Sequence, residues 1–257
     1  MNIKQLLEIA KIKPNPKLDQ YFLHEDAILA EEVELAKINK SDVVLEIGAG
    51  IGNLTILLSK KAPVIAVEKD YAFSHVLKNM PNVQVFLGDA LEFLESLRSK
   101  GEKKKADEIK SKKARSFPVN PSPFNKIVSN IPYSISQPLL LELFRHKWDV
   151  AVLIVQKEFA EKLVSKERLG LILSELADIK IIKTVPANAF YPVAVTSSLI
   201  LIKQKKLLDD GFWNFVSKLK PNKDVSNQVK SCPKPLSKKK VHQLTLAELK
   251  TLYKLKK

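Results

Sequence analysis

Asn130-Ile131-Pro132-Tyr133 has the residue types needed to hold a planar aromatic amine. The lone pair of such an amine is delocalised into its ring, so the nitrogen attacks only after its substituents are turned. An Asn side-chain oxygen and a backbone carbonyl held rigid by the next proline can accept both amine hydrogens, and a following tyrosine can stack on the ring. The chemistry this suits is N-methylation of a nucleobase, with Asn130, Ile131, Pro132 and Tyr133 at the reacting centre. The same four residues would also make an ordinary turn after the short apolar strand Lys126 to Ser129. The rest of the chain has to decide between the two.

Glu46-Ile-Gly48-Ala-Gly50-Ile-Gly52 stands directly after the apolar run Val43 to Ile47. Glycines at that place allow a tight turn and a close approach of backbone to ligand, as in dinucleotide and S-adenosylmethionine sites alike. The Gly-x-Gly-x-Gly spacing, the carboxylate of Glu46 and the lack of a pyrophosphate-specific glycine favour S-adenosylmethionine. Glu68, twenty residues after Gly48, is placed to accept hydrogen bonds from both ribose hydroxyls. Asp89, after the run Val83 to Phe86, could accept the adenine amino group.

These residues need a scaffold that brings them to one edge. Short apolar runs at Val43–Ile47, Val64–Val67, Val83–Phe86, Lys126–Ser129 and Val150–Val155 alternate with helical periodicity near 26–36, 53–60, 72–78, 138–144 and 157–164. Such alternation predicts a parallel sheet covered on both faces. The last two runs, Ile179–Val185 and Ser197–Lys203, are separated by prolines and small residues and predict an antiparallel pair. The expected fold class is α/β, a Rossmann-like class I methyltransferase fold with a seven-stranded, mostly parallel sheet and an antiparallel last strand. The four ligand-type elements then fall at carboxyl ends of strands, where open α/β sheets bind ligands.

Residues 1–205 are read as the methyltransferase domain and 206–257 as a small basic helical RNA-binding domain, with two helices around a Pro/Lys linker. Up to Asp19 the prolines Pro14 and Pro16 suggest an extended arm. Residues 98–124 read as an insertion: nine basic and three acidic residues lie between Arg98 and Arg115, and three prolines between Phe117 and Phe124. It enters the amino end of a strand, away from the reacting edge, and suits either distant phosphates or a solvated extension.

The 257 residues carry a formal net charge of +15, which favours a polyanionic partner, although a general lysine bias would also produce it. The apolar runs are too short for a membrane span and the first residues lack a signal-peptide pattern, so a cytoplasmic protein without membrane association is expected. The single cysteine, Cys232, has no partners at metal-ligand spacing, and no metal is expected.

Together these residues resemble the ribosomal RNA adenine N6,N6-dimethyltransferase family, over about Asp19 to Lys203. Further points of resemblance are Gln20-Tyr21-Phe22-Leu23, Val155-Gln-Lys-Glu158 with Ala160 to Val164, and Phe190-Tyr-Pro192 with Val195-Thr-Ser197. The resemblance implies dimethylation of two adjacent adenosines near the 3′ end of small-subunit rRNA during ribosome biogenesis, with S-adenosyl-L-methionine as cofactor. It places Gln20, Tyr21, Leu23, Gly48, Gly50, Glu68, Asp89 and Asn130 at the cofactor. Asn130 and the Ile131 carbonyl would hold the target amine, with Tyr133 and Phe190 on the two faces of an unstacked adenine. No general base is then required, because the attacked nitrogen becomes cationic and its proton can leave to water.

The chain departs from the family pattern in places. Tyr21 stands where Asn or His is usual, which points to a cofactor contact through its backbone. The loop from Ser165 to Gly170 is short, Ala194 replaces a proline, and the tail lacks an Arg-Arg-Lys helix while keeping eight lysines from Lys234 onward. The partner expected is small-subunit rRNA or its precursor particle, bound by a monomer. The alternatives are a large-subunit rRNA adenine N6-methyltransferase and a non-catalytic ribosome-assembly factor of the same fold. Small-molecule or protein-glutamine methylation shares the Asn-x-Pro-Tyr logic, but the charge and the Gln-Lys-Glu stretch argue against it.

Overall fold

A computed structural model describes residues 3–99 and 123–256. The insertion expected at 98–124 therefore lies almost wholly outside the described residues. In chain order the strands are β1 (Phe22–Leu23), β2 (Val44–Ile47), β3 (Val64–Glu68), β4 (Val83–Leu87), β5 (Lys126–Asn130), β6 (Val150–Gln156), β7 (Ala177–Val185), β8 (Phe190–Tyr191) and β9 (Ser197–Gln204). The helices are α1 (Ile3–Ile9), α2 (Asp26–Leu35), α3 (Thr55–Ser59), α4 (Ser74–Lys78), α5 (Ala90–Ser99), α6 (Ser136–Leu143), α7 (Lys157–Leu163), α8 (Arg168–Leu176), α9 (Asp210–Lys218) and α10 (Leu246–Lys256).

Seven strands form one sheet in the order β4-β3-β2-β5-β6-β9-β7. β2 to β6 run parallel, and β9 enters antiparallel between β6 and β7. The expected sheet and its antiparallel last strand are thus present. The order reverses between β2 and β5, which opens a crevice at their carboxyl ends.

Alternation along each strand sorts the core into two layers. Val44, Val64, Ala66, Val128, Val152 and Ile154 face α1 to α4. Leu45, Ile47, Ile65, Ile127, Leu153 and Ile200 face α5 to α8. Tail residues, among them Phe212, Phe215, Val216, Leu249 and Leu252, join the second layer. The exposed margin of β7 carries Lys180 and Lys183, charges that discourage further strand pairing.

Two local expectations are corrected and one element is added. The first residues are not an extended arm: α1 buries Ile3 and Leu7, spaced four apart on one face, and the prolines come only after it ends. α8 starts at Arg168 inside what read as a loop, and it buries Gly170, Ile172, Leu173 and Leu176. Gly170 is there because a Cβ would lie 2.1 Å from the Ser165 carbonyl oxygen. The added element is a separate two-stranded sheet in which β1 pairs antiparallel with β8, Phe22 opposite Tyr191 and Leu23 opposite Phe190. Among the described residues no helix is long and apolar enough to cross a membrane.

Candidate active site

The turn after β2 is shaped by its glycines. Gly50 and Gly52 have φ of +53° and +86°, where a side chain is strained. A Cβ on Gly50 would lie 2.9 Å from the Phe22 ring, and one on Gly52 would lie 2.2 Å from Met80 Cε. The Gly50 N–H donates to Glu68 Oε2 at 2.8 Å and the Asp70 N–H to Glu68 Oε1 at 2.8 Å. Glu68 itself lines the cleft. Burial pushes the Glu68 carboxyl up, against the lowering effect of those backbone donors.

This turn floors a cleft of about 1040 Å³, open mouth included, at the carboxyl ends of β2, β3, β4 and β5. Gln20, Tyr21, Leu23, Glu46, Gly48, Gly50, Glu68, Asp89 and Asn130 all line it. Its roof is the segment leading into β1. Gln20 accepts from the Asn15 N–H at 2.8 Å and donates to Asp70 Oδ2 at 2.7 Å, and Asn53 Nδ2 donates to the Leu23 carbonyl. Asp89 caps α5 through the Leu91 N–H at 2.9 Å and pairs with Lys69 at 3.1 Å. Burial works to raise the Asp89 carboxyl, but the Lys69 and Leu91 donors outweigh it and hold it below its ordinary value.

A smaller pocket of about 240 Å³, open mouth included, adjoins the cleft, lined by Asp19, Tyr21, Asn130, Ile131, Tyr133, Ile154 and Phe190. Asp19, Tyr21 and Asn130 belong to both cavities. Asn130 Oδ1 is buried and has no hydrogen-bond partner. Buried acceptors are nearly always satisfied, so an unpartnered one in a residue that lines both cavities is suited to a donor. Tyr133 donates to or accepts from Ser197 Oγ at 2.9 Å, and burial raises its hydroxyl against that bond. Its ring stacks on Tyr21, centroids 6.0 Å apart and planes 23° from parallel. Phe190, 3% exposed, forms another wall. Ser134 N–H donates to Asp19 Oδ2 at 2.9 Å, which ties the roof to the turn after β5.

The predicted cofactor residues therefore converge around the cleft and Asn130, Ile131, Tyr133 and Phe190 around the pocket, whereas Pro132 lines the cleft instead. Asp19, Ser197 and Tyr21's place in both cavities were missed. Tyr21's ring contact with Tyr133 shows that its side chain, not only its backbone, faces the site. Among the described residues, no group of three or more His, Cys, Asp or Glu is arranged to hold a metal.

A family model for ribosomal RNA adenine dimethylase matches residues 11–232. The chain belongs to that family. Curated members similar to it include two called "probable ribosomal RNA small subunit methyltransferase A". The one from Thermococcus sibiricus is 34% identical over 215 residues, covering 80% of this chain and 69% of the relative. The one from Pyrococcus abyssi is 35% identical over 212 residues, covering 78% and 69%. Among solved structures, a dimethyladenosine transferase from Plasmodium falciparum superposes with a TM-score of 0.67 at 24% identity, covering 90% of this chain and 95% of that one. The 23S rRNA methyltransferase ErmE does so with 0.60 at 21% identity, covering 91% and 98%. Both share the fold of this family member.

Proposed function

We propose that the chain transfers methyl groups from S-adenosylmethionine to N6 of two adjacent adenosines near the 3′ end of small-subunit rRNA during ribosome biogenesis. The observation that carries this reading is Asn130, which lines both the cleft and the smaller aromatic pocket and whose buried side-chain oxygen has no hydrogen-bond partner. The names of the curated relatives support the choice of RNA.

The cleft fits the cofactor. Glu46, 2% exposed, lines it and leaves Oε2 buried without a hydrogen-bond partner, and a cationic ligand in the cleft would favour its ionised form. The glycine turn is a cradle that a Cβ would fill. Glu68 would hold the ribose hydroxyls, Asp89 the adenine amine, and Gly48, Gly50 and the Gln20–Leu23 roof the remainder. When bound, the cofactor supplies an electrophilic methyl group.

This chain's residues do the rest by positioning. Asn130 Oδ1 and the Ile131 carbonyl accept the two N6 hydrogens and turn the lone pair out of the ring plane. Tyr133 and Phe190 hold the unstacked base, a role suited to their aromatic faces. The target nitrogen becomes cationic as it is methylated and releases its proton to water, so no side chain has to act as base. Exposed lysines of the tail, including Lys218, Lys220, Lys223, Lys230 and Lys234, would meet RNA phosphates, with residues 206–257 acting as the RNA-binding domain.

The test is to incubate the protein with labelled S-adenosylmethionine and immature small subunits, then map the label by nuclease digestion and mass spectrometry. Dimethyladenosine at two adjacent 3′-terminal positions is expected. Label on large-subunit RNA, or none, would overturn the reading.

A further inference from the structure

Tyr133 opens the single turn Tyr133–Ile135 directly after β5, and Ser197 opens β9. β6 lies between those two strands, with its Ile154 opposite Asn130 on one side and its Gln156 opposite Ser197 on the other. The 2.9 Å bond between the Tyr133 hydroxyl and Ser197 Oγ therefore stretches the tyrosine side chain across the carboxyl end of β6. Ile154 lines the smaller pocket together with that ring.

The direction of the bond follows from counting protons. Ser197 is 0% exposed, and its hydroxyl donates to the Val195 carbonyl at 3.1 Å. A serine hydroxyl has one proton, so its oxygen is left to accept and the Tyr133 hydroxyl is the donor. Ser197 Oγ is the one hydrogen-bond partner of that hydroxyl among the described residues. Alanine would fill nearly the same space in the strand, so what the serine adds is this pair of bonds.

The ring is fixed in two ways: Tyr21 stacks on its face and Ser197 holds its hydroxyl end. Stacking tolerates some sliding of one ring over another, whereas a hydrogen bond weakens steeply once its distance or angle is lost. The backbone that carries the two amine acceptors does not share that freedom, because Asn130 ends β5 and the Ile131 N–H donates to the Ile154 carbonyl at 3.2 Å. A tyrosine that slides would carry a stacked base past acceptors that stay in place.

We propose that Ser197 is a positioning residue: by accepting from the Tyr133 hydroxyl it sets where the ring lies, and so where a base stacked on it presents its amine to Asn130. This deepens the adenine-N6 reading and rests on it for its catalytic consequence. Binding of the base uses the face of the ring and survives a small shift, but methyl transfer depends on placement and does not.

The experiment compares wild type, Ser197→Ala, Tyr133→Phe and the double variant in two assays. In Ser197→Ala the tyrosine keeps a donor that has lost its acceptor, and the ring moves to bring it to water. kcat should fall about tenfold, with the cofactor Kd and the KM for RNA within about twofold of wild type. Tyr133→Phe removes the same bond but leaves no donor unmet, since Ser197 still has Val195, so its loss should be smaller, about threefold. Adding Tyr133→Phe to Ser197→Ala should bring kcat back up to the level of Tyr133→Phe alone. A serine needed only for its strand would give losses that multiply. Denaturant unfolding of the same four proteins, which needs neither RNA nor cofactor, should show the same non-additive pattern in the folding equilibrium constant. Losses that multiply in either assay, or an unchanged kcat in Ser197→Ala, would overturn the proposal. Should Ser197→Ala not fold, an unchanged kcat in Tyr133→Phe overturns it and the smaller loss supports it. A wild type that methylates no adenosine while the unfolding pattern holds would overturn the adenine reading, and the catalytic consequence of the bond with it.

Discussion

Replacing Glu46 by Gln tests the electrostatics of the cleft directly. Burial raises the Glu46 carboxyl from an ordinary 4.5 to about 8, opposed by the nearby Thr55 hydroxyl and reinforced by the charge of Glu68. Between those two values the folded protein binds a proton that the unfolded chain has already released. Stability therefore falls as pH rises through this window, the reverse of the usual carboxylate case. At about 1.4 kcal/mol per pH unit, the penalty is under ~1 kcal/mol at pH 5, about 3 at pH 7 and about 5 at pH 9. Gln keeps the shape and carries no such proton, so Glu46→Gln should be more stable by those amounts. The assay is denaturant unfolding of both proteins from pH 5 to 9, followed by fluorescence of the buried Trp148. A stability difference that does not grow with pH would refute the placement of Glu46 as a buried carboxyl without a cationic partner.

Asn130→Ala should bind cofactor and RNA as wild type does while turnover falls about 100-fold to 1000-fold, the scale of removing one fixed polar contact at a reacting centre; equilibrium binding beside single-turnover kinetics checks this. Tyr133→Ala should weaken RNA bearing the target adenosine by about 1–3 kcal/mol, whereas Tyr133→Phe, which loses only the Ser197 bond, should cost less, as titration of a 2-aminopurine-substituted hairpin would show. Gly52→Ala must relieve a 2.2 Å approach to Met80 Cε and hold a positive φ, a strain of about 1–3 kcal/mol. Cofactor affinity by calorimetry should fall in that variant, and pairing it with Met80→Ala should restore part of it.

The sheet was legible because each strand is a compact apolar run and each crossover has helical periodicity, two signals that reinforce one another. The motif residues were legible because each stands at or just past the end of its strand, and the topology brings strand ends together without further information. Pairing of Phe22–Leu23 with Phe190–Tyr191 was not, since two residues are too few to show a period and the partners are far apart in sequence. α8 was hidden by Gly170, whose reason for being there is contact with Ser165 rather than a turn. Glu32 reads in sequence as one more acidic residue among Glu31 and Glu34. Only its spacing, four after Ile28 and one before Val33, signals that it faces inward.

The short β1–β8 ladder bears on how two methyl groups reach one nitrogen. β1 continues the roof of the larger cleft, and β8 contributes Phe190 to the wall of the smaller pocket. On the proposed reading a second transfer requires the spent donor to be exchanged for a fresh one. If exchange proceeds by lifting the Gln20–Leu23 roof, the paired strand moves with it and the seat of the base loosens at the same moment. The enzyme would then be distributive, releasing singly methylated adenosine between turnovers. With RNA in excess, N6-monomethyladenosine should rise early in the time course and decline as the dimethylated form accumulates.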